Sequence, residues 1–273
     1  MLKLMKHEFR ATGRIMLPLY LLTMLTALGG NLSIRQLTEA NDDLLNVLGV
    51  LLLTGFGIAI AAVCIMSVVV MIQRFYKSLL QDEGYVMLTL PVSVHQHIWA
   101  KMLVSTVWFA ATAATVALAF FVLVYELGTV EDIFYVFSII FRDLLEQDAW
   151  TMFNGVVFGA ELAVLLLLAA FSACLEFYSA LAIGHSFSNH KMLLSIVFFF
   201  AINAAFSVAG SGLMMAVNVT PFPEMVSGLL AHSGGAMRMT HLMLGGLSLA
   251  ALVQGAVYYL LTYIPLTRRL NLE

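Results

Sequence analysis

The chain contains six apolar runs, each long enough to cross a lipid bilayer as a helix. They lie at residues 15–32, 47–72, 102–125, 153–183, 192–217 and 242–266. The hydrocarbon core of a bilayer is about 30 Å thick, and about 20 helical residues cross it. Lipid offers no hydrogen-bond partner to an open backbone, and these runs lack the alternation of a membrane barrel. The sequence therefore predicts an all-α integral membrane protein with six transmembrane helices.

Composition leaves little room for a soluble domain. Hydrophobic residues make up 62% of the 273 residues and charged residues 11%, whereas soluble domains carry about 25% charged residues. We therefore expect a single transmembrane domain over residues 1–273, embedded in the lipid bilayer as a multi-pass protein.

The basic residues predict the orientation of the chain, because cytoplasmic loops retain Lys and Arg. Ten of them fall on one side of the predicted spans: Lys3, Lys6, Arg10, Arg14, Arg74, Lys77, Lys101, Lys191, Arg268 and Arg269. Three fall on the other side: Arg35, Arg142 and Arg238. Both termini and the segment 74–101 are thus expected in the cytoplasm.

Two amphipathic segments lie outside the apolar runs. Before the first run, Leu2, Met5 and Phe9 share a helical face, which predicts an interfacial elbow helix that bends near Pro18; a simple positive-inside anchor is the alternative. Segment 131–150 also has an apolar face, and we expect it on the outer headgroups as a spacer or, alternatively, as a lid over an exit path. That face holds Ile133, Phe137, Ile140, Phe141 and Leu144.

Two carboxylates interrupt the fourth run. Glu161 and Glu176 lie about 22 Å apart along a helix and on one face of it, and a charged group within a bilayer is a functional candidate by default. Together with Asn203 and Gln254 they are our candidates for a substrate path. The alternatives are that both carboxylates reach headgroup water, and that the two amides are hydrogen-bond partners between helices.

Segment 74–101 carries the most specific pattern of the chain. Phe75, Lys77 and Leu79 are followed by Asp82-Glu-Gly-Tyr85, by Thr89-Leu-Pro-Val-Ser93, and by Gln96 and Lys101. A second pattern covers residues 177–184 and 188–191. Both resemble bacterial ABC-2-type permeases, the first in the loop between the second and third spans and the second at the junction of the fourth and fifth.

This resemblance implies a six-helix permease whose segment 74–101 is the coupling loop that docks on a cytoplasmic ABC ATPase. Phe75, Leu79 and Leu80 also form a short apolar edge, which we expect to face water and to fill a groove of the partner. The candidate docking residues are Phe75, Tyr76, Lys77, Leu79, Leu80, Asp82, Glu83, Gly84, Tyr85, Gly184 and His185.

The chain is not expected to be an enzyme by itself. The dipeptide Gly-Lys of a P-loop never occurs in it, so ATP and Mg²⁺ are expected on the partner ATPase. No catalytic set, metal site, bound cofactor or nucleic-acid partner is expected. The resemblance further implies a second permease subunit, identical or not, in a bacterial cytoplasmic membrane, and export of an amphipathic peptide, lipid or drug. An ion-coupled secondary transporter and a non-catalytic membrane scaffold or sensor subunit are the alternatives.

Overall fold

The computed structural model describes residues 2–39, 43–81, 92–125, 134–135, 138–139, 142, 149–187, 189–221, 224, 228 and 235–268. Within these ranges the regular secondary structure is helical throughout. Its long elements are α1 (Leu2–Glu39), α2 (Asp43–Leu79), α3 (Val94–Val124), α4 (Ala149–Gly184), α5 (Lys191–Val219) and α6 (Gly235–Arg268).

All six of these helices are long and apolar enough to cross a membrane, which confirms the predicted number of spans. The spans cover Leu4–Ile34, Asn46–Leu79, Val94–Val124, Met152–Gly184, Lys191–Val217 and Met237–Arg268. Most reach beyond the apolar runs, because helical hydrogen bonding continues into the polar residues at the ends. The third span begins at Val94 instead of residue 102, and the sixth begins at Met237 instead of residue 242.

The expected elbow helix is not a separate element. α1 runs without interruption from Leu2 to Glu39 and holds Pro18 inside it. Proline removes one N–H donor, and in a helix of this length the remaining hydrogen bonds form cooperatively around the gap. In segment 131–150, the side chains that carry the predicted apolar face lie outside the described residues.

The chain divides into two compact units, Met1–Gln73 with Leu103–Met152 and Arg74–Met102 with Phe153–Glu273. The first unit is built from α1, α2 and α3 around Ala27, Phe56 and Ala119. The Asn31 amide donates hydrogen bonds to two carbonyls of α3, each at 3.1 Å. Polar contacts of this kind add to packing where lipid provides no hydrophobic drive between helices.

The second unit holds α4, α5 and α6, together with the end of α2 and the start of α3. The Ser172 hydroxyl of α4 donates to the Ala251 carbonyl of α6 at 2.9 Å. The Phe177 and Phe199 rings join α4 to α5, with ring centroids 4.9 Å apart. Every candidate site residue that the structure describes lies in this unit.

Candidate coupling end and polar pairs within the spans

The apolar residues at the end of α2 are buried within the chain. Phe75 stacks on Tyr178 of α4 with ring centroids 4.0 Å apart and ring planes within 8°, and both side chains are fully buried. Leu79 is 0% and Leu80 5% exposed. The expectation that Phe75, Leu79 and Leu80 face water is therefore wrong, since α4 provides a nearer apolar surface for them. Truncating Leu79 would disturb this core and would not isolate an effect on docking.

The neighbouring side chains at this end are accessible. Tyr76 is half-buried, and its ring meets the edge of His185 with centroids 5.2 Å apart and planes at 67°. Lys77 and Gln81 are exposed. The structure thus joins two segments that the resemblance assigned separately to docking. Asp82, Glu83, Gly84 and Tyr85 lie outside the described residues.

Gly184 is the last residue of α4 and His185 the first residue of the following turn, and both are buried. A side chain at Gly184 would meet Ser195 of α5, including its backbone nitrogen at 2.5 Å, so this glycine is required for contact between two helices. The His185 ring nitrogen Nδ1 hydrogen-bonds the Leu181 carbonyl at 2.9 Å. Burial lowers the pKa of His185, and the charge of Lys191 lowers it further, while the Leu181 carbonyl acts in the opposite direction. His185 therefore favours its neutral form.

The start of α3 is anchored as well. His95 stacks on Tyr263 of α6 with centroids 4.1 Å apart and hydrogen-bonds the Tyr259 hydroxyl. Lys101 is buried, and its Nζ donates to the Arg74 carbonyl at 3.3 Å. The residues on both sides of segment 82–91 are therefore held within the second unit. Phe75 and Tyr76, before the segment, pack mainly on α4, and His95, after it, packs on α6. Sequence reasoning missed the contact of His95 with these two tyrosines, because it joins residues far apart in the chain.

Two of the four candidate path residues, Glu176 of α4 and Asn203 of α5, are in contact. The Asn203 amide donates to Glu176 Oε1 at 2.5 Å and to the Phe199 carbonyl at 3.0 Å. Gln254 donates to the Tyr258 hydroxyl of its own helix at 2.9 Å. Because both amide N–H groups of Asn203 are used in these hydrogen bonds, the arrangement is suited to holding α5 against α4.

Glu161 has a different partner. Its Oε2 lies 2.7 Å from Nδ1 of His241 in α6, and the side chains of Glu161 and His241 are 29% and 21% exposed. Sequence reasoning missed His241, since the sixth apolar run was placed from residue 242 onward. A useful signal would have been Glu161 itself, because a carboxylate within a span requires a donor from a neighbouring helix.

The described side chains offer little else for chemistry, and comparison with known proteins adds nothing to them. Within the described ranges, no group of three or more His, Cys, Asp or Glu side chains is placed to hold a metal ion. Cys64 and Cys174 are both free thiols. No protein-family model, curated protein or solved structure matches the chain.

Proposed function

We propose that this chain is the transmembrane permease subunit of an ATP-driven ABC exporter, in a bacterial cytoplasmic membrane with both termini in the cytoplasm. A separate ATPase subunit would bind ATP and Mg²⁺, and a second permease subunit would complete the transporter. The observation that carries the proposal is the anchoring of both flanks of segment 82–91. Phe75 and Tyr76 fix one flank to α4, and His95 fixes the other to α6.

This anchoring supports a route for force from the ATPase to the membrane. When the ATPase closes on ATP, it pushes on segment 82–91. Close-packed interiors transmit such strain instead of absorbing it, so the buried Phe75–Tyr178 stack passes the displacement to α4. α4 carries both Glu161 and Glu176, so their contacts with α5 and α6 change during the cycle.

The proposed docking surface is smaller than the sequence pattern suggested. It consists of Tyr76, Lys77 and Gln81 on the described side, continued by the Asp82-Glu-Gly-Tyr85 sequence. Phe75, Leu79 and Leu80 support this surface from within the chain. Gly184 and His185 likewise support this surface without being part of it, because they hold the turn against which Tyr76 packs.

A second candidate function is ion-coupled secondary transport. The Glu161–His241 pair favours it, because paired ionisable groups within spans are used by proton-coupled transporters. Such transporters, however, commonly bind their substrate at helices broken near the midplane. α4, α5 and α6 are continuous across their spans, and we therefore favour the ABC exporter.

The test is purification of the tagged chain from its native membrane, followed by assays of bound protein and of ATP hydrolysis. We expect a soluble P-loop ATPase to co-purify, and the chain without it to leave ATP unchanged. The substitution Lys77→Glu reverses an exposed charge on the docking surface and should lower recovery of the ATPase several-fold. Arg238→Glu makes the same reversal at an exposed residue of α6, roughly 38 Å along that helix from Tyr263, on which His95 stacks, and should leave recovery unchanged.

Two results would reject the proposal. One is ATP turnover by the chain freed of other proteins. The other is transport by the chain alone in vesicles energised only by an ion gradient, which would establish the secondary transporter instead. Equal loss of ATPase in both charge-reversal variants would show that Lys77 has no specific part in docking.

A further inference from the structure

Glu161 lies near the edge of the hydrocarbon core. The fourth span, Met152–Gly184, contains 33 residues, so its midpoint is residue 168. At 1.5 Å per residue, Glu161 is about 10 Å from that midpoint, whereas its partner His241 is about 17 Å from the midpoint of the sixth span, Met237–Arg268; with a half-thickness of roughly 15 Å, the pair lies near the edge of the hydrocarbon core. A carboxylate at this depth needs a compensating group.

Among the described residues, no Lys or Arg forms an ion pair with Glu161. The six apolar runs contain Glu161 and Glu176 but neither Lys nor Arg. Glu176 lies about 22 Å further along α4, and α5 has no ionisable side chain after Lys191. Arg238 of α6, one turn before His241, is exposed, and among the described residues it forms no ion pair with Glu161.

His241 orients the carboxylate without neutralising it. Its Nε2 is buried and has no hydrogen-bond partner among the described residues. A protonated ring would bury a charged N–H without an acceptor, which costs more free energy than a lone pair without a donor. On this ground we assign the Nδ1–H to a neutral His241 ring that donates to the Glu161 carboxylate, so that the assigned pair carries one negative charge.

The two carboxylates of α4 therefore differ in the hydrogen-bond donor that each contacts. The donor to Glu176 is an amide whose two N–H groups are both used. The donor to Glu161 is a ring with one unsatisfied nitrogen. The Glu161 side chain is also 29% exposed, beside Phe158 and Val164, which are 38% and 52% exposed on the same helix. A negative group thus lies next to accessible apolar surface.

We propose that Glu161, held in place by His241, binds the cationic group of an amphipathic molecule whose apolar part lies along Phe158 and Val164. The charge selects a cation, and the apolar surroundings favour an amphiphile over a small hydrated ion. The role of this site in substrate recognition rests on the proposed export function. Binding itself requires neither ATP nor the ATPase.

The test compares three amphiphiles that share one tail: decylammonium, decyltrimethylammonium and decyl sulfate. Binding to the purified full-length chain in dodecyl maltoside micelles is measured by equilibrium dialysis, with protein-free micelles as the baseline. We expect saturable binding of the two cations and none of the sulfate. Glu161→Gln should weaken binding of the cations about 30-fold, as expected when one partner of a buried charge pair is lost.

Matched variants separate binding from folding. Glu161→Asp keeps the charge and should retain most of the binding, while His241→Phe removes the orienting donor and should weaken it several-fold. Glu176→Gln alters the other carboxylate of α4 and should leave binding unchanged. If Glu161→Gln does not yield folded protein, the preference of the unaltered chain for cations and the His241→Phe result decide.

Equal uptake of all three amphiphiles would overturn the site, and so would unchanged binding by folded Glu161→Gln or an equal loss in Glu176→Gln. Because no ATPase takes part, such a result leaves the proposed coupling untouched. Conversely, if the exporter proposal were rejected, the cation site measured by dialysis would still stand.

Discussion

The substitution Gly184→Ala tests the contact that holds the end of α4 against α5. A Cβ atom at this position would lie 2.5 Å from the backbone nitrogen of Ser195 and 2.7 Å from its Cα. These are backbone atoms of α5, so no side-chain rotation relieves the overlap. The helices must separate for an alanine to fit.

The magnitude follows from the required displacement. Carbon atoms meet at roughly 3.5 Å, so the contact with the Ser195 Cα must lengthen by about 0.8 Å. Overpacking of this size typically destabilises a protein by about 1–3 kcal/mol. Alanine recovers at most about 1 kcal/mol through its higher helix propensity, and less at a helix end. We therefore expect a net loss of about 1–2 kcal/mol and a displaced His185 turn.

The measurement is reversible unfolding in mixed micelles of maltoside and dodecyl sulfate. Gly159→Ala is the matched control, because it lies in the same helix and a Cβ there would meet nothing within 4 Å. The control should be neutral or more stable than the unaltered chain. If Gly184→Ala is as stable as Gly159→Ala, the close approach of α4 and α5 at Ser195 is incorrect.

Two further predictions concern protonation and topology. Burial lowers the pKa of His185 in the folded chain, so on acidification the unfolded chain takes up a proton at this residue first. The stability that neutral His185 contributes is therefore complete above its ordinary pKa of 6.5. That stability is lost as the pH falls through the lower pKa of the folded chain. The thermal midpoint should thus fall on acidification by less in His185→Phe than in the unaltered chain, and equal falls would contradict this assignment. In a chain without its native cysteines, Ser93→Cys should react with an impermeant thiol reagent only from the cytoplasmic side and Ser138→Cys only from outside; labelling of Ser93→Cys in intact cells would reject the predicted orientation.

The sequence alone determined the number of spans and their approximate position. In a bilayer each span must satisfy its own backbone hydrogen bonds, so the length of an apolar run is a sufficient local signal. The ends of the spans were less well determined. α3 begins at Val94 and α6 at Gly235, because polar residues continue a helix as readily as apolar ones once it has formed.

Only the tertiary structure decided which faces of these helices are buried and which polar groups meet. Lipid tails are as apolar as leucine, so hydrophobicity does not distinguish a residue that packs against protein from one that faces lipid. Phe75 and Leu79 were expected to face water and a partner's groove, because the sequence does not show that α4 offers them a nearer apolar surface in the core of the second unit. For the same reason the partner of Glu161 was missed: the contact with His241 joins two helices about 80 residues apart, and it depends on how α4 and α6 are rotated against each other.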